Sequence, residues 1–148
     1  MQQQRRLMMM NTPIEHKTDQ VTHLSYTLRT EAATTWHEFV FHKPSRQVVD
    51  EWLAQLEILR AARQPGEPFL MLVDSTVGIV PLTYAFQRGR SFADRFPQRQ
   101  SSRIALLIDN TFISIVNSFI QMLRSSTEIV RLFRPDQREE AIAWLLAE

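Results

Sequence analysis

The chain has 148 residues, of which 44% are hydrophobic and 22% charged, a composition typical of one globular domain. Its 17 basic and 16 acidic residues nearly cancel, so no net field favours a nucleic acid or a membrane surface as partner. Because the sequence contains no cysteine, disulfides, thiolate catalysis and cysteine-ligated zinc are all excluded.

Residues 1–21 are predicted to form a flexible leader that precedes a domain over residues 22–148. The longest apolar stretch in the leader, Leu7 to Met10, is too short for the hydrophobic region of a secretory signal. Apolar runs elsewhere fall far short of the roughly 20 residues that a membrane-spanning helix needs. We therefore expect a cytoplasmic protein without a membrane partner.

The folded pattern begins with two strands and a helix. Residues 23–29 alternate apolar and polar side chains, and residues 34–41 form a second β-rich run, so the two are predicted to pair as a hairpin. From Pro44 to Gly66 the apolar residues follow a helical period, and Ser45 is the expected N-cap.

Three short apolar runs then predict buried strands, each followed by a helix, at residues 68–74, 103–109 and 128–133. Pro81 is expected in the first turn of the second helix, and Asn110 is expected to cap the third. Asp136 and Glu139 have the spacing of a capping box for the last. The order β-β-α-β-α-β-α-β-α predicts a single-domain α/β fold whose mixed, mostly parallel sheet has about five strands and about four helices.

Polar side chains follow the predicted parallel strands, at the edge where α/β proteins commonly bind ligands. The first such junction carries Asp74, Ser75 and Thr76, and the second carries Asp109, Asn110 and Thr111. Each junction is also the start of a helix, where these residue types are favoured as caps. Their presence alone therefore does not establish chemistry.

The surrounding sequence limits what the first junction can do. The three glycines do not have the spacing of a phosphate-binding loop, and Ser75 lacks the leading glycine of a nucleophile elbow. All the histidines precede the parallel strands, so no base is identified for Ser75, and no cluster of metal ligands is recognised. We expect a protein that is not an enzyme and has no metal or cofactor. The histidines are His16, His23, His37 and His42.

Two helices carry surfaces of distinct character. The arginines around the second helix are interpreted as a solvated face rather than an RNA or anion footprint, so no nucleic acid is expected as partner. The third helix is apolar over more than one stripe, which indicates deep burial or a partner-facing patch. Its candidate interface residues are Phe112, Ile115, Phe119 and Ile120.

The closing segment "VRLFRPDQREEAIAWLL", residues 130–146, resembles the end of bacterial STAS-type domains, the sulfate-transporter and anti-sigma-factor-antagonist family. The order of elements over residues 22–148 is similar to that family too. The resemblance implies a STAS-like fold and a non-catalytic regulatory domain whose partner is a protein, often a kinase-like anti-sigma factor.

In that family a phosphorylatable serine stands between the strand ending at Asp74 and the helix starting near Pro81, in a D-S-S-G-like context. This chain has "DSTVGIVPLT" there, which matches only loosely and resembles the divergent members that lack the serine. The departure argues against a phosphorylation switch, with Ser75 and Thr83 as the hydroxyls left to consider. The candidate interaction loop comprises Asp74, Ser75, Thr76 and Thr83.

Three functions remain open at this point. The leading hypothesis is a regulatory domain that binds another protein, or itself, without catalysis. A small apolar-ligand sensor is the alternative, and it requires an enclosed apolar pocket near Asp74 and Asp109. A hydrolase using Ser75 is the third, and it requires a base within hydrogen-bond reach of that hydroxyl.

Overall fold

The computed structural model describes residues 23–64, 66–95, 101–123 and 128–147, so the predicted leader lies outside the described residues. The strands are β1 (Leu24–Glu31), β2 (Thr34–Phe41), β3 (Phe69–Ser75), β4 (Ser102–Ile108) and β5 (Glu128–Phe133). The α-helices are α1 (Arg46–Ala61), α2 (Leu82–Arg95), α3 (Ile113–Leu123) and α4 (Arg138–Leu146), and 3-10 turns at Asn110–Phe112 and Pro135–Gln137 precede α3 and α4. The predicted fold class is confirmed.

The five strands lie in the sheet in the order in which they occur in the chain, β1-β2-β3-β4-β5. β1 and β2 are antiparallel, and the remaining neighbours are parallel. Right-handed crossovers that all advance in one direction put their helices on one face of the sheet. Accordingly α1 packs on α2 and α2 on α3, whereas α4 packs on β3 and β4 from the opposite face.

Successive side chains of β3 pack into two different cores on opposite faces of the sheet, as the two-residue period of a strand requires. Phe69, Met71 and Val73 belong to the core beneath α1, α2 and α3. Leu70 and Leu72 belong to the second core, which α4 closes with Ala141 and Leu145. This explains why β3 is apolar without alternation. None of the helices in the described part of the chain is long and apolar enough to cross a membrane.

One buried carboxylate joins α4 to β2. The side chain of Glu38 in β2 is buried, and its Oε1 accepts a hydrogen bond from Arg138 at 2.5 Å. Its Oε2 accepts from Arg29 of β1 at 3.4 Å. Because a buried charge is costly without partners, these two guanidinium groups are what makes Glu38 tolerable in the interior.

The predicted helix caps are partly correct. Ser45 caps α1, its hydroxyl accepting from the Val48 NH at 3.2 Å. The cap expected at Asn110 is instead Asp109, whose Oδ1 accepts from the Thr111 NH at 2.9 Å, because the 3-10 turn starts the helical segment one residue early.

The capping box expected from Asp136 and Glu139 is also displaced. The Arg134 NH donates to Gln137 Oε1 at 2.8 Å, which is one half of a capping box, and the Arg134 guanidinium has no acceptor to supply the other half. The reason is the same, since the Pro135–Gln137 turn precedes α4 and moves the start of the helical segment two residues toward the N-terminus.

The predicted hairpin is present and closes through an unusual pair of residues. Ala32 and Ala33 connect β1 and β2 with φ values of 49° and 65°. Two-residue hairpins favour this left-handed conformation, which normally selects Asn-Gly because a Cβ is disfavoured there. The turn is therefore held by strand pairing against the local preference of alanine.

We predict that Ala33→Gly stabilises the protein, because glycine adopts a positive φ without the steric cost that alanine pays at φ 65°. Chemical denaturation should show an increase of about 0.5–1 kcal/mol in the free energy of unfolding. Ala54→Gly, an exposed position inside α1, is the matched control and should lower it by about 1 kcal/mol. A destabilised Ala33→Gly variant would contradict the strained turn.

Candidate functional site

The loop between β3 and α2 begins with a side chain that folds back on the backbone. Asp74 Oδ1 accepts from the Thr76 NH at 3.0 Å and from the Thr76 hydroxyl at 2.7 Å. This hydrogen-bonded turn reverses the chain as it leaves the strand, as aspartate commonly does. Asp74 and Thr76 therefore set the path of the loop, and both side chains are only partly exposed.

Ser75 lies beneath this turn and supports the loop from within. Its side chain is 5% exposed, and its hydroxyl donates to the Gly78 carbonyl at 3.2 Å. Gly78 in turn lies against Pro44, whose Cγ would be 3.1 Å from a Cβ at residue 78. The buried Ser75 hydroxyl and the close approach of Gly78 hold the loop against the start of α1.

The described histidines are engaged at the other strands. His23 Nδ1 lies 3.1 Å from the Ser45 hydroxyl, and His42 Nε2 lies 2.6 Å from the Ser25 hydroxyl. His37 is bonded to Tyr26, and His16 falls outside the described residues. The geometry thus brings none of these three imidazoles to Ser75, and the hydrolase hypothesis loses its base.

The second junction has the same character as the first. The NH and side chain of Thr111 hydrogen-bond to the Asp109 carboxylate and lower its pKa. Asp109 thus serves as a cap of the helical segment rather than as a proton donor. Within the described ranges no group of three histidine or acidic side chains is arranged to hold a metal ion.

Outside these bonded groups, the exposed side chains of the loop and of the helix start are Val77, Pro81 and Thr83. Val77 is 49% exposed at the tip of the turn, and Thr83 is exposed in the first turn of α2. Sequence reasoning included Thr83 and missed Val77. Val77 is one of several apolar residues in this stretch, so the sequence carries no signal that singles it out.

The candidate interface on α3 is divided by the structure into an anchored side and an exposed side. Val116 is buried, and the Phe119 ring contacts the Phe86 ring of α2 edge to face at 6.0 Å. Ile115 is 49% exposed and Met122 is 69% exposed. Ile115 and Met122 are seven residues apart and so lie on one face of the helix.

The other two predicted interface residues, Phe112 and Ile120, are partly buried. Sequence reasoning missed Met122, although its seven-residue spacing from Ile115 places it on the exposed stripe. We call the exposed loop residues Val77 and Thr83, together with Ile115 and Met122, the loop–helix surface.

A groove with a volume of about 390 Å³ lies between α1 and α2, away from this surface. Its walls are held together by ion pairs between Arg88 and Asp50 at 3.2 Å and between Arg95 and Glu57 at 3.7 Å. The lining residues are Asp50, Leu53, Ala54, Glu57, Arg88, Ser91 and Arg95. An open, largely charged groove differs from the enclosed apolar pocket that the ligand-sensor alternative requires.

The arginines near α2 are accounted for by neighbouring groups. Besides the two ion pairs across the groove, Arg90 lies over the Phe86 ring at 5.7 Å. Arg103 donates to the Trp144 carbonyl at 3.2 Å on the opposite face of the sheet. Arg99 falls outside the described residues. Of the described members, Arg88, Arg90 and Arg95 lie on α2, and Arg103 contacts α4 on the other face of the sheet.

His37 occupies an aromatic environment on β2, beside β3. Its Nδ1 lies 2.7 Å from the Tyr26 hydroxyl, and its ring stacks on Phe69 at 4.7 Å. Burial, with a smaller contribution from the Arg63 charge, lowers the pKa of His37 to about 4. The imidazole is therefore neutral at physiological pH and acts as part of the core.

Comparison with known proteins gives a family and a fold. The model of the family described as SpoIIAA-like matches residues 25–146. A crystal structure of an uncharacterized protein of the DUF3478 family from Shewanella loihica PV-4, with a SpoIIAA-like fold, superposes with a TM-score of 0.61 at 13% identity. The match covers 85% of this chain and 96% of that one. No functionally curated protein matches the chain.

We predict that His37 makes the stability of the protein dependent on pH. The unfolded imidazole binds a proton near its ordinary pKa of 6.5, whereas the folded one does so only near 4. Between these values the unfolded state binds more protons, so the free energy of unfolding falls as the pH decreases through this window. Denaturation between pH 7 and pH 4 measures the slope.

His37→Gln should flatten that slope, since glutamine does not titrate. Thr35→Gln, at an exposed position of the same strand that carries no titrating group, is the matched control and should keep the wild-type slope. If the free energy of unfolding had the same pH dependence in the wild type and in His37→Gln, the partly buried imidazole would not contribute to that dependence.

Proposed function

Because the chain belongs to the SpoIIAA-like family, we propose that it is a STAS-type regulatory domain that acts by binding another protein and performs no catalysis. Its binding surface in this proposal is the loop–helix surface, joined by the partly buried candidates Phe112, Phe119 and Ile120. The observation that carries the proposal is the exposure of Val77, Ile115 and Met122 on a chain whose other junction residues are bonded internally.

Exposed apolar side chains on an anchored helix suit protein recognition. Val116 and Phe119 fix α3 against the rest of the domain, so Ile115 and Met122 are presented without a further ordering cost. Covering such side chains contributes about 25 cal/mol per Å² of apolar surface removed from water. Clustered aliphatic groups with a polar rim are the usual composition of an interface core.

The absence of catalysis in the proposal rests on where the reactive groups lie. The Ser75 hydroxyl is buried and donates to Gly78, while the carboxylates of Asp74 and Asp109 accept from Thr76 and Thr111. Each group is engaged in holding a turn or a helix start.

Of the two candidate switch hydroxyls, Thr83 is the one open to modification. It is exposed in the first turn of α2, whereas Ser75 is buried. A phosphate at this helix start is electrostatically favourable, and it adds charge directly beside the proposed apolar contacts. A modification of Thr83 would therefore weaken binding to an apolar partner.

We predict that Ile115→Glu and Val77→Glu each weaken binding to the partner by about tenfold or more, because each places a charge in a contact that must be desolvated. The full chain, immobilised, is used to recover its partner from extracts of its own cells. The affinity of the purified partner is then measured by calorimetry for the wild type and each variant.

Ile58→Glu on α1 is the matched control, since Ile58 is 58% exposed but lies away from the loop–helix surface. It should bind like the wild type. Equal binding by Ile115→Glu and the wild type would place the interface elsewhere. Turnover of the partner or of a small molecule in the mixture would refute the non-catalytic role.

A further inference from the structure

β1 forms one edge of the sheet, and half of its backbone polar groups point away from the molecule. The His42 NH donates to the His23 carbonyl at 2.7 Å, so His23 and His42 form a hydrogen-bonded pair. From that pair onward, hydrogen-bonded and non-hydrogen-bonded pairs alternate along the antiparallel ladder. The odd-numbered residues of β1 thus bond to β2. The outward residues are Leu24, Tyr26, Leu28 and Thr30, and no other described segment hydrogen-bonds to their backbone.

This edge lacks the devices that usually prevent a strand from pairing with another chain. β1 runs for eight residues in unbroken register, without proline, lysine or a bulge. Residues 27–31 are exposed, and Leu28 is 56% exposed on the face that carries α1. The Arg29 guanidinium is ion-paired with Glu38 of the neighbouring strand, so its charge is not placed to oppose pairing at the edge.

We infer that β1 pairs with β1 of a second copy of this chain, antiparallel about a two-fold axis at Thr27, to form a continuous sheet through both molecules. In this register Tyr26 lies opposite the second copy's Leu28, and Leu24 lies opposite the second copy's Thr30. Both pairs consist of outward residues, so each exchanges two backbone hydrogen bonds.

The side chains favour this register over those centred further along the strand. The exposed Leu28 gains an aromatic neighbour in the second copy's Tyr26, a favourable cross-strand pair. Arg29 faces the second copy's Ser25. If the two-fold axis passed through Arg29, the two Arg29 side chains would lie opposite each other. If it passed through Leu28, they would be diagonal neighbours. In both cases two like charges would be close together.

The expected dimer is weak. One strand pair with its flanking side chains buries less than the standard interface of about 800 Å² per partner. We therefore expect a dissociation constant in the micromolar range and a reversible, concentration-dependent association. Ile115 and Met122 lie on α3, which connects β4 to β5 on the far side of the sheet from β1, so the dimer leaves them free and its test is independent of the proposed function.

Sedimentation equilibrium of the full chain between about 1 and 300 µM measures the association. The register is tested by single cysteines, since the natural sequence has none. Thr27→Cys places two thiols opposite each other at a non-hydrogen-bonded pair, where the Cβ atoms are about 4.5–5.5 Å apart and a disulfide can form.

Thr30→Cys is the matched control on the same strand, because its two thiols would lie about 20 Å apart at 3.3 Å per residue. Mild oxidation should cross-link Thr27→Cys at least tenfold faster than Thr30→Cys. Leu28→Cys should fall between them. Circular dichroism confirms that each variant is folded.

A chain that remains monomeric over the whole concentration range overturns the inference. So do equal cross-linking rates in the three variants, or a faster rate for Leu28→Cys than for Thr27→Cys, since the latter requires a different axis. A concentration-dependent dimer with the predicted order of rates supports both the surface and its register.

Discussion

The one-way order of the sheet is the constraint from which the rest of the structure follows. Because each parallel strand is added on the same side of the previous one, right-handed crossovers leave α1, α2 and α3 on one face. The opposite face is left to α4, which packs on β3 and β4. The Arg138–Glu38 ion pair joins this helix to β2.

The same constraint determines which surfaces are left for partners. In a row of three helices the last one has a neighbour on one flank, so α3 leans on α2 through Phe119 and exposes Ile115 and Met122. At the other end of the row, β1 is the edge strand of the sheet that the described residues form. The α3 part of the loop–helix surface and the β1 edge are therefore the two ends of their layers.

The element order and the strand positions could be predicted because they depend on local periodicity. β3 was expected at residues 68–74 and lies at Phe69–Ser75, and Ser45 caps α1 as expected. The resemblance to STAS-type domains is confirmed by the family match. It rests on an order of elements that local patterns reveal.

The features that could not be predicted depend on contacts between distant segments. Glu38 reads as an exposed strand residue until Arg138, one hundred residues later, is brought beside it. Val77 and Met122 are exposed because no described segment packs over them, and this depends on the arrangement of the whole fold. The caps at Asp109 and Arg134 were displaced by short 3-10 turns that hydrophobic periodicity does not register.

The most direct test of the central claim is a backbone NMR map of the isotopically labelled chain, recorded with and without the purified partner. Binding through the loop–helix surface predicts the largest chemical-shift changes at Val77, Thr83, Ile115 and Met122, with little change in α4. Changes concentrated in the groove between α1 and α2, or on α4, would contradict the account.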